Sequence, residues 1–108
     1  MLKEGDIVIF RFPFSNLSNA KTRPALVLKV LNGQDAIVCM LTTQGARCTG
    51  NAIPVDQADV EYGSLRKPSN IRPDRLFTAD TSIFVKTIAT INRPKLQEVY
   101  TSLHRIFS

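Results

Sequence analysis

Two short polar stretches bracket the most apolar part of this 108-residue chain. Lys21-Thr22-Arg23 leads into the run PALVLKVL, and Thr42-Thr43-Gln44 closes the run AIVCMLTT. Between the two runs lies NGQD, and Asn32-Gly33 is a strong signal for a type I′ hairpin turn, because both central residues of such a turn need positive φ. Counting outward from that turn sets Leu31 against Gln34 and hence Arg23 against Thr42. A guanidinium beside hydroxyl and amide donors matches the oxygens of a phosphate, which it can grip with charge-assisted, bidentate bonds. The same arginine could equally do no more than solvate a strand terminus. Geometry alone leaves both readings open.

Other chemistries find little support. The chain has no phosphate-cradling glycine loop, no Gly-x-Ser-x-Gly elbow and no His-Glu-x-x-His. Its one histidine, His104, falls in a C-terminal helical pattern, where with Arg105 it suits the negative end of the helix dipole. An acid–base pair of histidines within one chain is therefore excluded. Cys39 and Cys48 are the only cysteines, without Cys-x-x-Cys spacing or companion histidines, so no metal site and no cofactor is expected. Two reduced thiols fit a cytoplasmic protein.

The elements that must hold the polar stretches are mostly strands. Asp6 to Phe14 (DIVIFRFPF) alternates Phe10, Phe12 and Phe14 on one face, and Pro13 marks an edge or bulge. SNLSNAKT reads as a long loop. AIPV, RLFT and SIFVKTIATI read as further strands, and the polar DQADVEYGSLRKPSNIRPDR as excursions between short ones. The period then changes: Leu96, Val99, Tyr100, Leu103, Ile106 and Phe107 recur at helical spacing. Asn92 is the expected N-cap, with Pro94 in the first turn. Many short strands and one amphipathic helix predict a mainly β domain over residues 1–108, a strongly bent antiparallel sheet or barrel with the helix packed on it.

Fourteen Lys and Arg against nine Asp and Glu leave a net charge of +5, suited to a polyanionic partner, nucleic acid or acidic protein. No apolar stretch approaches the roughly 18 residues needed to cross a bilayer, and MLKEGD lacks the apolar segment of a signal peptide. The expected location is the cytoplasm, with no membrane partner.

The ordered set GDIVIFRFPF, KTRPALVL, LTTQ and SLRKPSNIRPDRLFTADTS, followed by a strand and a helix, resembles the MazF/PemK toxins of bacterial toxin–antitoxin pairs along essentially the whole chain. That resemblance implies an SH3-like barrel that forms a homodimer. It implies an endoribonuclease that cuts single-stranded RNA without a metal, leaving a 2′,3′-cyclic phosphate and a 5′-hydroxyl, and a cognate antitoxin that restrains it. By position, Arg23 and Thr42 match the family's catalytic arginine and threonine, and Lys21, Thr43, Gln44, Arg72, Arg75 and Thr78 are candidates for RNA binding. Two departures stand out. SNLSNAK has no carboxylate where many members carry Gly-Ser-Glu, and Phe77 replaces an arginine found in some.

The chemistry assigns roles along the same lines. A guanidinium is a poor base, so the expected role of Arg23 is to stabilise the charge of the phosphorane. Thr42 can hydrogen-bond a non-bridging oxygen, and Lys21 is a base only if its surroundings depress its pKa. Tyr62, Phe12 and Phe14 are candidates for stacking on bases. Two other readings use the same barrel: a non-enzymatic inhibitor that binds a protein such as gyrase, and a catalytically silent RNA-binding domain. The gyrase-directed relatives act through a Trp-bearing C-terminus, and this chain has no tryptophan.

Overall fold

The computed structural model describes residues 2–11, 22–43 and 50–108. Seven strands form one antiparallel sheet: β1 (Asp6–Arg11), β2 (Thr22–Val30), β3 (Asp35–Thr43), β4 (Ile53–Val55), β5 (Val60–Gly63), β6 (Ser69–Asp80) and β7 (Phe84–Ile91). Their spatial order is β4-β6-β3-β2-β1-β7-β5, and one helix, α1 (Arg93–Ile106), follows. The sheet curls into a half-barrel, as the mainly β expectation with a terminal helix requires.

Alternation along the strands sends side chains to two faces. One face carries Ile7, Leu26, Leu28, Cys39, Leu41, Ile71 and Ile91, and α1 seals it with Val99, Leu96, Tyr100 and Leu103. The other carries Val8, Phe10, Ala25, Val27, Ala36 and Val38, with Met40, Phe77 and Phe84 packed against them. The helix starts where its cap predicts. The Asn92 side chain accepts from the Lys95 N–H at 2.9 Å, and Pro94 sits in the first turn. Tyr100 donates its hydroxyl to the Leu28 carbonyl at 2.8 Å, tying the helix to β2. Phe107, expected on the apolar stripe, lies just past the last turn and is 73% exposed.

The Gly5-Asp6 step at the head of β1 is a structural staple. The Asp6 carboxylate, 3% exposed, accepts from the Thr90 hydroxyl at 2.8 Å and from the Lys3 N–H at 3.0 Å. This joins β1 to the far end of β7, and both carboxylate oxygens are satisfied.

Two expectations need correction. The β2–β3 hairpin is not a type I′ turn: among the described residues only glycines have positive φ, so Asn32 does not. The Leu31 N–H donates to the Asp35 carbonyl at 2.9 Å, closing a loop of Asn32, Gly33 and Gln34, one residue longer than expected. A bulge at Leu28 then takes up the extra residue, so that Val27 faces Val38 and Ala25 faces Met40. The two offsets cancel and return the register counted from the sequence. Secondly, the polar segment read as excursions holds β5 and the first half of β6, a 12-residue strand. Pro73 obscured it, since proline argues against a central strand. The ladder accommodates this proline by a bulge: the adjacent Cys39 and Met40 pair with Leu76 and Arg72, leaving Pro73, Asp74 and Arg75 as extra residues.

Candidate active site

The register places a row of polar side chains across three strands. Thr42 on β3 pairs with Asn70 on β6, and Arg23 on β2 pairs with Phe10 on β1. Arg23 and Thr42 each lie two residues beyond Ala25–Met40, the last registered pair of β2 and β3. Pro24 explains where that ladder stops, for it has no N–H to donate. Neighbouring strands run about 5 Å apart, so the two side chains project from adjoining backbones. Each is an even number of residues from its registered neighbour. Both therefore point to the face that carries Ala25 and Met40, the face turned away from α1.

One step inward along the same face is Arg72, paired with Met40. A diagonal cross-strand neighbour of this kind lies about 7–8 Å from Thr42 between Cα atoms, within reach of a long side chain. The sheet thus gathers Arg23, Thr42, Asn70 and Arg72 at one end of one face. Arg23 is exposed, Thr42 and Asn70 are half-buried, and Arg72 is only 8% exposed. Thr42, Asn70 and Arg72 are all engaged in interactions, so none is a free group. Thr43, exposed, pairs with the buried Ser69 and by alternation points to the opposite face.

A buried guanidinium needs a counter-charge, and the β6 bulge supplies one. Arg72 Nε reaches Asp74 Oδ1 and Arg72 Nη2 reaches Asp74 Oδ2, both at 3.3 Å. These hydrogen bonds, with the charges of Arg72 and the exposed Arg75, hold the Asp74 carboxyl below the ordinary carboxylate value. Behind the bulge, burial pushes the Cys39 thiol up to about 12, and the Asp74 charge adds to the effect.

Not every candidate joins this cluster. Thr78 pairs with Ile37, five residues from Thr42 along β3, or roughly 17 Å. It is exposed and by alternation faces the other way. Tyr62 stands at the sheet's other edge, 61% exposed, with the Lys3 ammonium 5.1 Å from its ring centroid. Phe77, which replaces an arginine, packs on Phe10 with ring centroids 5.4 Å apart, inside an apolar cluster. Lys21, Gln44, Phe12, Phe14, Pro13 and Cys48 lie outside the described residues. Asp74 escaped the sequence reading altogether. Its signal was the Arg-Pro-Asp-Arg step, a charged pair around a proline in a segment read as loop.

Among the described residues no group of three or more His, Cys, Asp or Glu could hold a metal ion. No described helix is long and apolar enough to cross a membrane.

Comparison with known proteins agrees with this architecture. A family model described as PemK-like, MazF-like toxin of type II toxin–antitoxin system matches residues 3–107. Among solved structures, a mycobacterial endoribonuclease in complex with its cognate antitoxin superposes with a TM-score of 0.75 at 13% identity, covering 99% of this chain and 95% of that one. The Mycobacterium tuberculosis toxin MazF-mt6 gives 0.72 at 20% identity, over 94% of this chain and 95% of the other. A chain of the MazE–MazF structure from Deinococcus radiodurans also gives 0.72, at 18% identity, over 99% of this chain and 95% of that one. No curated protein matches the chain. Likeness at such low identity speaks for the fold, and the family match carries the classification. This chain belongs to the PemK-like, MazF-like toxins of type II toxin–antitoxin systems.

Proposed function

We propose that this toxin is an endoribonuclease that cleaves single-stranded RNA by transesterification, without a metal ion. The observation that carries the reading is the convergence of Arg23 and Thr42 on one face at one sheet end, with Arg72 one step inward. The neighbours described as an endoribonuclease and as toxins bound to antitoxins support it.

In the reaction the RNA 2′-oxygen attacks the adjacent phosphorus while the bond to the 5′-oxygen breaks. The 2′-proton leaves to a base and the 5′-oxygen takes up a proton, giving a 2′,3′-cyclic phosphate and a 5′-hydroxyl. Arg23 is exposed at the strand end and meets the incoming phosphate, where its fixed charge stabilises the phosphorane as equatorial charge builds. Thr42 donates to a non-bridging oxygen and fixes the angle of attack. Asn70, its cross-strand partner, sets the amide beside it. Arg72 supplies a second cation. Guanidinium groups are poor proton acceptors, so the base is sought outside this quartet, and Lys21, next but one to Arg23 in sequence, is the candidate. Lys21, Thr43, Gln44 and Arg75 are the further candidates for contact with the RNA backbone in this reading. The protein acts as a homodimer, and a disordered acidic segment of a cognate antitoxin binds the +5 chain to silence it.

The test is direct. Purified protein is incubated with mixed-sequence single-stranded RNA in EDTA and compared with Arg23→Ala and Thr42→Val. The expected result is metal-free cleavage with cyclic-phosphate ends, lowered about 100- to 1,000-fold by loss of Arg23. RNA retained without cleavage would instead mark a silent RNA-binding barrel.

A further inference from the structure

The β6 bulge is an unusual investment for a strand. Three residues, Pro73, Asp74 and Arg75, are inserted opposite a single peptide step of β3, between Cys39 and Met40. Bulges concentrate beside functional sites, where they re-aim a side chain. Here the re-aimed side chain is Asp74, brought back onto the guanidinium two positions earlier through both carboxylate oxygens. The two side chains differ in exposure, 10% for Arg72 and 31% for Asp74, so the carboxylate is the more accessible member of the pair.

We infer that Asp74 is a positioning residue for RNA cleavage, clamping the Arg72 guanidinium in the plane and orientation in which it meets the scissile phosphate beside Thr42. The inference rests on the proposed ribonuclease reading of the same face. An arginine side chain has several free torsions, and a two-point carboxylate fork removes most of that freedom before substrate arrives. Both contacts measure 3.3 Å, longer than the 2.7–2.9 Å typical of the tightest charge-assisted bonds. The alternative role of proton acceptor is disfavoured, because the same hydrogen bonds make Asp74 a weaker base than an ordinary carboxylate.

The experiment is a double-mutant cycle on full-length protein with a single-stranded RNA substrate, reading kcat, KM and thermal midpoint for Asp74→Asn, Arg72→Gln and the double variant. The expected result is a roughly 10- to 100-fold fall in kcat for Asp74→Asn with KM changed far less. In the Arg72→Gln background the same change should cost almost nothing further. Asp74→Glu, which keeps the charge on a longer arm, should recover part of the rate. If Asp74→Asn does not fold, Asp74→Glu decides: wild-type kcat in that variant overturns the inference. Equal losses in both backgrounds, or a wild-type rate in Asp74→Asn, would also overturn it while leaving the ribonuclease reading intact. A wild-type protein that cuts no RNA sinks both.

Discussion

Gly33 and Gly63 have nearly the same backbone, with φ of +81° and +84°, but very different surroundings. At Gly33, in the β2–β3 loop, an added Cβ meets nothing within 4 Å. At Gly63, where β5 joins β7, it would overlap the Ile88 carbonyl oxygen and stand 2.8 Å from Ala89 Cα. Both substitutions to alanine incur the left-handed penalty of about 1–2 kcal/mol, and both gain equally from a stiffer unfolded chain. Only Gly63→Ala must also push β5 away from β7. That shift strains the Ser64 N–H bond to the Ile88 carbonyl, now 3.0 Å. Backbone displacement of this kind adds about 1–3 kcal/mol. The difference between the two variants is therefore about 1–3 kcal/mol, or roughly 4–20 °C in Tm for a domain near this size. Thermal unfolding by circular dichroism at one fixed protein concentration measures it, since any self-association makes Tm depend on concentration. Equal Tm losses for Gly33→Ala and Gly63→Ala would refute the reasoning, because backbone conformation would then account for the whole effect and the close approach of β5 to β7 for none of it.

Two further outcomes concern the bulge. The Asp74 carboxyl should titrate below its ordinary 3.8, and Arg72→Gln should move it back up, as followed by the carboxyl carbon shift in NMR. Because the folded pKa is depressed, the stabilisation it contributes is present above 3.8 and fades as pH falls through the lower folded value. A midpoint unmoved by Arg72→Gln would contradict the pairing. The Cys39 thiol, pushed up to about 12 by burial, should stay protonated and inert to a thiol reagent at pH 8 in a Cys48→Ser protein, reacting only as the protein unfolds. Rapid labelling of the folded protein would show that β3 opens there.

Local grammar made much of the fold legible. Asn92 ahead of an apolar pattern at helical spacing announced α1 and its cap, because capping and amphipathicity are settled within one or two turns. The apolar runs on either side of Asn32-Gly33 announced β2 and β3 for the same reason. Loop chemistry was less legible. Asn32 does not adopt the positive φ expected of it, and the Leu28 bulge restored the register by compensation that no local signal reported. The counted register thus returns at Ala25–Met40, two residues short of Arg23 and Thr42, though through a turn of the wrong length.

What the sequence determined by itself was which residue types stand at the strand ends, where the helix begins, and that a cation and a hydroxyl belong to adjoining β-segments. The tertiary structure alone decided that Arg72 shares their face, that Asp74 folds back upon it, and that Thr78 is carried away to the other side. The reason is physical. Side-chain alternation is a local rule, but a bulge or a pairing partner is chosen by the whole sheet, and a single inserted residue reverses every face beyond it.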